Sequence, residues 1–523
     1  MSMVPGACDN LVGGAVAQAT DVPVWETAFD SRSRARGFFS TQRAFLGESA
    51  MTPRKGKNFR SSDAVTDGVA AGAVDLQITH RHAAGIDVHS AVHFVAVPME
   101  DVPAGFVNPD AKLPAGVRKF GANTGDLEAL AAWLKECGVT TVAMESTGVY
   151  WIPLYDLLAS QGFAVILVDP RQTKHAPGRP KSDVLDCQWI RRLRSYGLLT
   201  ASFRPADEIV QWRGFQRQRD MLVRYAAQHV QHMQKALEEM NVKLTEVVSD
   251  VAGQTGMKII KDIVRGERDP RKLAKHRHER CKATEAEIAS ALYGTWRKEH
   301  LFALKQAVQM YEFYQRQLRA CDHEIETCLR GFADKSQGAA LPNSARRLRA
   351  TRNDPRFGVR KLLFRMAGMD LTVIEGISEP TALVILSEIG TDLSRFPTEK
   401  NFVSWLGLCP QHRGSAGKIF SRRVRRGANR AARALRMAAQ GCHHAKSALG
   451  AFYRRIQARC GGAKAVVATA RKIAERVYRM LKYGQEYVAQ AQDAYEEAYR
   501  LRTLKTMAHK AQKMGYKLVP ATT

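Results

Sequence analysis

The stretch SDVLDCQWIRRLRSYGLL, residues 182–199, decides the fold of this chain. Its apolar residues repeat with the spacing of a helix that has one buried face, at Leu185, Trp189, Ile190 and Leu193. Asp183 and Asp186 stand three residues apart where this helix begins, so their carboxylates share one face. Two carboxylates this close repel each other unless a cation lies between them, and Mg²⁺ accepts such a ligand set. Taken alone, the pattern is more often a solvated helix whose acidic first turn is favoured by the helix dipole.

The composition indicates a polyanionic partner. The chain has 523 residues and a formal net charge of +28. The length predicts two or three domains, and the charge points first to nucleic acid, although a basic protein without such a partner would share it. The nine cysteines form no CxxC pairs, which argues against a disulfide framework or a zinc site and fits a reduced cytoplasm. Since the sequence contains no long apolar run and no secretion signal, we expect neither a membrane span nor export.

Residues 1–79 have the composition of a disordered basic extension, rich in Gly, Ala, Ser and Thr. Such a segment is either a flexible basic arm or an upstream extension without a role, and the second interpretation is slightly favoured.

Strands and helices alternate over residues 80–204. We predict a strand within Ile86–Val97, a strand within 116–122, a helix over 125–138, a strand over 140–146, a helix over 147–162, a strand over 163–170 and the helix from Asp183. This order predicts an α/β domain of the RuvC or ribonuclease H type, in which neighbouring strand ends and a packed helix bring carboxylates together.

The carboxylates placed to meet in such a fold are Asp87, Glu145, Asp183 and Asp186. Together they would hold one or two Mg²⁺ (or Mn²⁺) ions, which stabilise the attacking and leaving oxygens at a phosphodiester. Asp169 is a rival ligand, and we interpret it instead as the turn residue before Pro170.

Residues 205–335 have the spacing of long, highly charged helices, over about 205–245 and 283–330, with a small helical insert between them. The spacing predicts antiparallel coiled-coil arms, and an ordinary helical bundle packed on the core fits about as well. A loop-rich linker follows at residues 336–365, then a helical second domain at 366–500 and a loosely held basic tail at 501–523.

The second domain begins with LTVIEGISEPTALVILSEIG, residues 371–390. The segment predicts a helix, a tight turn at Gly376 and another helix, which resembles a helix-hairpin-helix. In that motif the turn amides and the following helix N-terminus hold a nucleic-acid phosphate. A glycine-stopped helix pair with no such role is the alternative.

Basic residues without an intervening acid crowd residues 411–436. A solvated helical face normally mixes signs, so this cluster repels itself unless phosphates neutralise it. We therefore assign nucleic-acid binding to Gly376, to Lys181 in the basic linker and to the cluster residues Arg413, Lys418, Arg422, Arg423, Arg425, Arg426 and Arg430.

Ser415 lies within this cluster, in the turn GSAG. A serine hydroxyl is a weak nucleophile until its proton is removed and its target is polarised. Gly414 and Gly417 would let a phosphate approach the backbone closely. From the residues alone, a serine in such a segment is most often a turn residue. Ser421 is the nearest alternative nucleophile, with a lesser claim.

Four segments carry a family resemblance: GIDVH (85–89), MESTGVYW (144–151), LVDPRQTKHAPGRPKSDVLDCQWI (167–190) and GISEPTALVILSEIGTDLSRFPTEKNFVSWLGLCP (376–410). They resemble the DEDD transposases of the IS110 insertion-sequence family, and their spacing is most similar to its IS1111 branch, related to the Piv-type invertases. The resemblance covers about residues 82–495. Ser90 stands where lysine is common and Cys187 where alanine is common, and neither departure removes a ligand.

The resemblance implies a metal-binding tetrad of Asp87, Glu145, Asp183 and Asp186. It also implies that Ser415, five residues after Pro410, attacks DNA and forms a covalent phosphoserine. A homodimer or tetramer assembled through the helical arms, a structured guide RNA and double-stranded DNA as substrate are further implications. We expect such an enzyme in the bacterial cytoplasm, near the nucleoid.

Two other functions stay open at this point. A nuclease of the Holliday-junction resolvase type would use the tetrad and water without a serine nucleophile. A decayed transposase would bind DNA without catalysis, with a steep salt dependence and no response to Mg²⁺.

Overall fold

The computed structural model describes residues 77–146, 148–173, 182–343, 351–411, 413–415, 418–421, 423–425, 427 and 429–519. The expected disordered extension therefore lies outside the described residues as far as residue 76. The predicted nucleic-acid contacts Lys181, Arg422 and Arg426 also lie outside them, as do the side chains of Arg413 and Lys418.

The first described region contains a five-stranded mixed sheet in the order β3-β2-β1-β4-β5. Its strands are β1 (Ala83–Val88), β2 (Val92–Ala96), β3 (Val117–Gly121), β4 (Thr141–Glu145) and β5 (Ala164–Val168). β2 is antiparallel to β1 and β3, while β4 is parallel to β1 and β5. This mixed α/β arrangement is consistent with the expected RuvC or ribonuclease H type of domain. The single strand predicted within Ile86–Val97 is wrong, because the chain turns back between Val88 and Val92.

The helices of this region are α1 (Thr124–Glu136), α2 (Trp151–Ser160), α3 (Pro170–Thr173) and α4 (Asp183–Ser195). α1 and α2 pack on one face of the sheet, where Trp133 and Leu154 are buried with Ile86 and Met144. α4 covers the opposite face, where Ile190 packs with Ala143 and Val168. Pro170, expected only to close a strand, begins the one-turn helix α3.

The buried face of α4 agrees with the predicted one at Ile190 and Leu193 and differs from it at Leu185. Leu185, expected in the apolar stripe, has 37% of its surface exposed, whereas Cys187 and Ile190 are buried. Gly85 explains this orientation, because a Cβ atom there would lie 2.2 Å from Arg191 N and 2.4 Å from Cys187 O. The backbone of α4 therefore rests directly on β1, and this contact carries the first turn of α4 towards the end of β1.

Two long helices follow, α5 (Asp207–Glu239) and α10 (Lys298–Gly331), with short helices between them: α6 (Leu244–Val247), α7 (Gln254–Arg265), α8 (Pro270–Ala274) and α9 (Glu285–Ala291). α5 and α10 run antiparallel. Arg219 pairs with Asp322, the rings of His229 and Tyr314 stack at 5.4 Å, and farther along the Glu239 carboxylate meets His300. The long helices predicted as arms are thus present, although the second begins at Lys298 rather than near residue 283, where the separate helix α9 lies. The short helices fold against their far end around a core of their own, which includes Met240, Ile259 and Leu304.

The near end of the arms belongs to another core. Ile209 and Trp212 of α5, with Ile325 and Leu329 of α10, are buried in the cluster that forms the interior of the C-terminal region. The predicted division at residues 335 and 366 therefore passes through one continuous core.

The C-terminal region is mainly helical. Its elements are α11 (Val359–Ala367), α12 (Glu379–Ile389), α13 (Glu399–Trp405), β6 (Arg413–Ser415), β7 (Lys418–Ser421), α14 (Arg430–Gly441), α15 (Ala448–Cys460), α16 (Gly462–Tyr483) and α17 (Gln485–Lys513). Single turns of 3₁₀ helix occur at Met99–Asp101, Leu371–Val373 and Cys442–His444.

Two expectations for this region are wrong, those for the linker and for the helix before Gly376. α11 begins inside the predicted linker, and the helix expected before Gly376 is only the 3₁₀ turn Leu371–Val373. α17 continues through Leu501 to Lys513, so the first part of the expected loose tail is helical. In the part of the chain that the structure describes, no helix is both long and apolar enough to cross a membrane.

Candidate active site

The end of β1 and the beginning of α4 bring three side chains together. Alternation along β1 places Asp87 on the face that α4 covers, and His89, two residues on, has the same orientation. The Ser182 hydroxyl caps α4 by accepting a hydrogen bond from Leu185 N, which places Asp183 in the first turn. His89 Nε2 lies 3.2 Å from Asp87 Oδ2 and 3.6 Å from Asp183 Oδ1.

Repulsion between carboxylates marks this group as a site for a cation. Burial raises the pKa of Asp87, whose side chain is only 15% exposed, and the nearby charges of Glu145 and Asp183 raise it further, while His89 opposes them. One ligand atom from each of Asp87, His89 and Asp183 lies within 4.8 Å of the others. Two carboxylates and an imidazole at this spacing fit a divalent cation, because oxygen donors suit Mg²⁺ and an added nitrogen donor suits Mn²⁺ as well.

The other members of the predicted tetrad are placed differently. The parallel register pairs Ile86 with Met144, so Glu145 at the end of β4 lies beside Asp87. The Oε2 atom of Glu145 accepts a hydrogen bond of 3.0 Å from Thr173 Oγ1. Glu145 does not belong to the group of close ligand atoms formed by Asp87, His89 and Asp183. Asp186 lies one turn farther along α4 and is also outside it. The structure thus gathers Asp87 with Asp183, and Glu145 borders them.

The neighbouring thiol of Cys187 is not a candidate ligand. It is buried, it donates a hydrogen bond to Val184 O, and burial together with the Asp87 charge raises its pKa to about 12. The side chain is thus packed in the interior and engaged with the helix backbone rather than directed at the group formed by Asp87, His89 and Asp183.

The sequence reasoning missed His89. The signal was present, because a residue two positions after Asp87 shares its face when the chain stays extended. A pattern of carboxylates alone does not indicate an imidazole ligand.

Asp169 occupies the turn after β5. Its Oδ1 atom accepts a hydrogen bond of 3.0 Å from Arg171 N, which agrees with its interpretation as a turn residue before Pro170. Its Oδ2 atom accepts a hydrogen bond of 3.0 Å from Arg425 Nη2, in the C-terminal region. The rival metal ligand is therefore engaged by a turn and by an arginine.

Arg425 stands at the base of a β-hairpin that carries Ser415. An isolated bridge joins Pro410 to Val424, and β6 and β7 continue the antiparallel pairing until Ser415 lies opposite Lys418. Ser415 is exposed at the far end of the hairpin. Ser421, the alternative nucleophile, accepts a hydrogen bond of 3.3 Å from Arg423 N.

Comparison with known proteins identifies two parts of the chain. A family model of DEDD transposases of the IS110 type matches residues 84–242, which include β1, β4 and α4. A second model, described as transposases of the IS116/IS110/IS902 family, matches residues 354–454, which include the Ser415 hairpin. The chain belongs to the IS110 family of DEDD transposases. Among curated proteins no match was found.

The two IS110-family matches assign the enzyme class. Transposases cleave and rejoin DNA, so DNA binding and the use of a divalent metal follow for this chain at the level of the family. Neither match includes residues 243–353, within which lie the short helices α6 to α9 and the whole of α10.

In this transposase, Gly376 is partly buried against α14 rather than placed at an open turn. Its φ of +87° is one that glycine adopts readily, and a Cβ atom there would lie 2.4 Å from Ala438 O in α14. The turn therefore packs against a helix, and the expected phosphate contact at Gly376 remains a prediction without geometric support.

Proposed function

We propose that this transposase cuts and rejoins DNA through a covalent phosphoserine on Ser415, with a divalent cation held by Asp87, Glu145, Asp183 and Asp186. His89 belongs to the same group of possible ligands. Mg²⁺ is the proposed cation, and Mn²⁺ is expected to replace it.

The observation that carries this proposal is the pairing of Arg425 with Asp169. The register pairs Glu145 with Val168, so Asp169 is the next residue along the neighbouring strand. Arg425 is bonded to Asp169, and its neighbour Val424 is bridged to Pro410. The base of the serine hairpin is therefore tied, within one chain, to the edge of the sheet at which the carboxylates lie.

The proposed step is a transesterification at the phosphorus of a DNA phosphodiester. A bond forms between Ser415 Oγ and the phosphorus, the bond from phosphorus to a deoxyribose oxygen breaks, and that oxygen takes up a proton as the serine gives one up. A bound divalent cation would polarise the phosphate and stabilise the charge of the pentacoordinate transition state. The exposed Arg423 and its basic neighbours would hold the strand by its backbone.

The partners proposed for this enzyme are double-stranded DNA and a structured guide RNA. The net charge of +28 supports a nucleic-acid partner, and the guide RNA follows only from the family resemblance. Sequencing RNA bound to the purified protein tests it, and a preparation that is active with no RNA present would contradict it. We also propose assembly into dimers or tetramers through the arms.

Replacing the serine tests the chemistry. Ser415→Ala should abolish strand joining and the covalent DNA adduct, with a rate loss of at least about a thousandfold, because no other hydroxyl takes over the attack. The adduct is trapped on a labelled substrate in Mg²⁺ and assigned by mass spectrometry. Ser421→Ala is the matched control, since it removes a hydroxyl from the same hairpin, and it should retain the adduct.

Each rival function predicts a different result. If the enzyme were a resolvase-type nuclease using water, Ser415→Ala would still cut DNA. If it were a non-catalytic remnant, the unaltered chain would bind DNA, and neither Mg²⁺ nor Asp183→Asn would change its products. Either result would contradict the proposed mechanism.

A further inference from the structure

A cationic pocket lies away from the candidate metal group, at the junction of the near end of α5, the end of α13 and the beginning of α14. Its volume is about 360 Å³, which is within the range of ligand pockets. Its lining includes Phe203, Arg213, Arg217, Glu388, Trp405 and Arg430. Residues from both family-matched segments thus meet in it.

The charges in this pocket are not balanced. Arg217 is neutralised by Glu388, with which it forms bonds of 2.9 and 2.7 Å. Arg430 has only a distant partner, because its Nη1 atom is 3.5 Å from Asp220 Oδ2. Three guanidinium groups therefore share the pocket with the Glu388 carboxylate.

Arg213 is the least compensated of the three, because the Glu388 carboxylate near it is already bonded to Arg217. Within the described part of the chain it forms no ion pair and no hydrogen bond, although it is partly buried. Burial and the neighbouring Arg217 charge lower the pKa of its guanidinium. A partly buried guanidinium without a close ion-pair partner is poorly compensated, and a bound anion would compensate it.

The shape of the lining favours one kind of anion. Planar guanidinium groups match the oxygens of a phosphate in pairs, which a chloride ion cannot exploit. Beside them, the rings of Phe203 and Trp405 lie 5.0 Å apart and provide an apolar wall. Cations next to aromatic rings are the combination with which proteins hold single nucleotides of a strand.

We propose that this pocket binds a phosphodiester group of the nucleic acid strand held by the enzyme, with Arg213 and Arg430 as its ligands. The sugar or base of the same nucleotide lies against Phe203 and Trp405. The inference rests on the proposed function only in requiring a nucleic-acid partner, and it does not depend on Ser415 or on the metal.

The test measures binding without catalysis. Arg213→Gln is compared with Arg224→Gln, which removes the same charge from an exposed position on α5 outside the pocket. Affinities for DNA and RNA oligonucleotides of one sequence are measured in EDTA at several salt concentrations. Arg213→Gln should weaken binding about tenfold and reduce the salt slope by about 0.7–0.9, the value for one lost phosphate contact. Arg224→Gln should change both quantities less.

A scan of methylphosphonate linkages locates the contact. Replacing the contacted phosphate with a neutral methylphosphonate should weaken binding to the unaltered enzyme. The same replacement should not weaken binding to the Arg213→Gln variant. The probe that shows this pattern, DNA or RNA, identifies the strand that occupies the pocket.

Thermal unfolding without nucleic acid separates binding from structure. Arg213→Gln should unfold at about the same temperature or higher, because among the described residues the arginine forms no ion pair or hydrogen bond that the change would remove. A clearly lower unfolding temperature, or equal binding losses in the two variants, would overturn the proposal. Because EDTA excludes metal-dependent cleavage, a failure of the serine mechanism would leave these results unchanged.

Discussion

At the scale of single residues, the feature that distinguishes this site is His89. Asp87 and Asp183 were predicted from the spacing of carboxylates, whereas the imidazole between them was not. A strand that continues past its last hydrogen-bonded residue keeps its alternation, so the motif GIDVH presents a carboxylate and an imidazole on one face. The site therefore offers a nitrogen donor beside the oxygen donors expected of a DEDD enzyme.

The His89 imidazole should change the relative affinities of the site for Mn²⁺ and Mg²⁺. His89→Asn is expected to weaken Mn²⁺ binding about tenfold while changing Mg²⁺ binding less, because imidazole suits Mn²⁺ better than Mg²⁺. Titration calorimetry with each ion on the purified protein measures the difference. His82→Asn, at an exposed histidine immediately before β1, is the control and should leave both affinities unaltered. Equal losses for the two ions would contradict a ligand role.

At the scale of elements, the contact of α4 with β1 creates the site. The sequence predicted both elements and their carboxylates, because periodicity and alternation are local. It did not predict how α4 is rotated, since Leu185 and Cys187 are both apolar and only the close approach at Gly85 decides which one is buried. A glycine in a strand indicates that another segment of backbone approaches closely, but it does not identify that segment.

Adding one methyl group tests this contact. Gly85→Ala should destabilise the protein by about 1–3 kcal/mol and weaken metal binding, because α4 must move away from β1 and carry Asp183 with it. Urea unfolding and Mn²⁺ titration provide the two readouts. Gly125→Ala, where an added Cβ meets nothing within 4 Å, is the control and should be neutral or slightly stabilising. Metal affinity equal to that of the unaltered protein would argue against the assigned role of Gly85.

The paired arms contain a second test at this scale. Arg219 and Asp322 form a buried ion pair of 2.5 Å, with 7% and 9% of their side chains exposed. Arg219→Met should cost about 3–5 kcal/mol in urea unfolding, because it leaves a buried carboxylate without its partner. The double variant with Asp322→Leu should recover most of that loss. Lys235→Met, at a largely exposed pair on the same helix, should cost less than about 1 kcal/mol.

At the scale of the whole molecule, the decisive contact joins residues 256 positions apart, Arg425 and Asp169. The sequence predicted the two regions that they belong to and the basic character of the hairpin. It gave no sign that the hairpin is tied to the edge of the sheet, because an arginine among many arginines does not reveal its partner. Motifs predicted which residues matter, and their relative placement came only from the tertiary structure.

Reversing this pair tests whether it positions the serine. Arg425→Asp should reduce adduct formation at least tenfold while changing stability by less than about 1 kcal/mol, because both side chains are partly solvated. Combining it with Asp169→Arg should restore part of the activity by restoring the attraction. The adduct assay measures both variants. A double variant no more active than Arg425→Asp would show that the arginine acts elsewhere, for instance on DNA.

The core shared by Trp212, Leu329 and the C-terminal helices limits how the gene can be divided. A fragment that begins at residue 354, where the second family match starts, would lack apolar side chains that fill its own interior. A deletion that leaves only this C-terminal fragment should therefore yield insoluble protein rather than a small DNA-binding relic, and expression of residues 354–523 with measurement of the soluble fraction checks this.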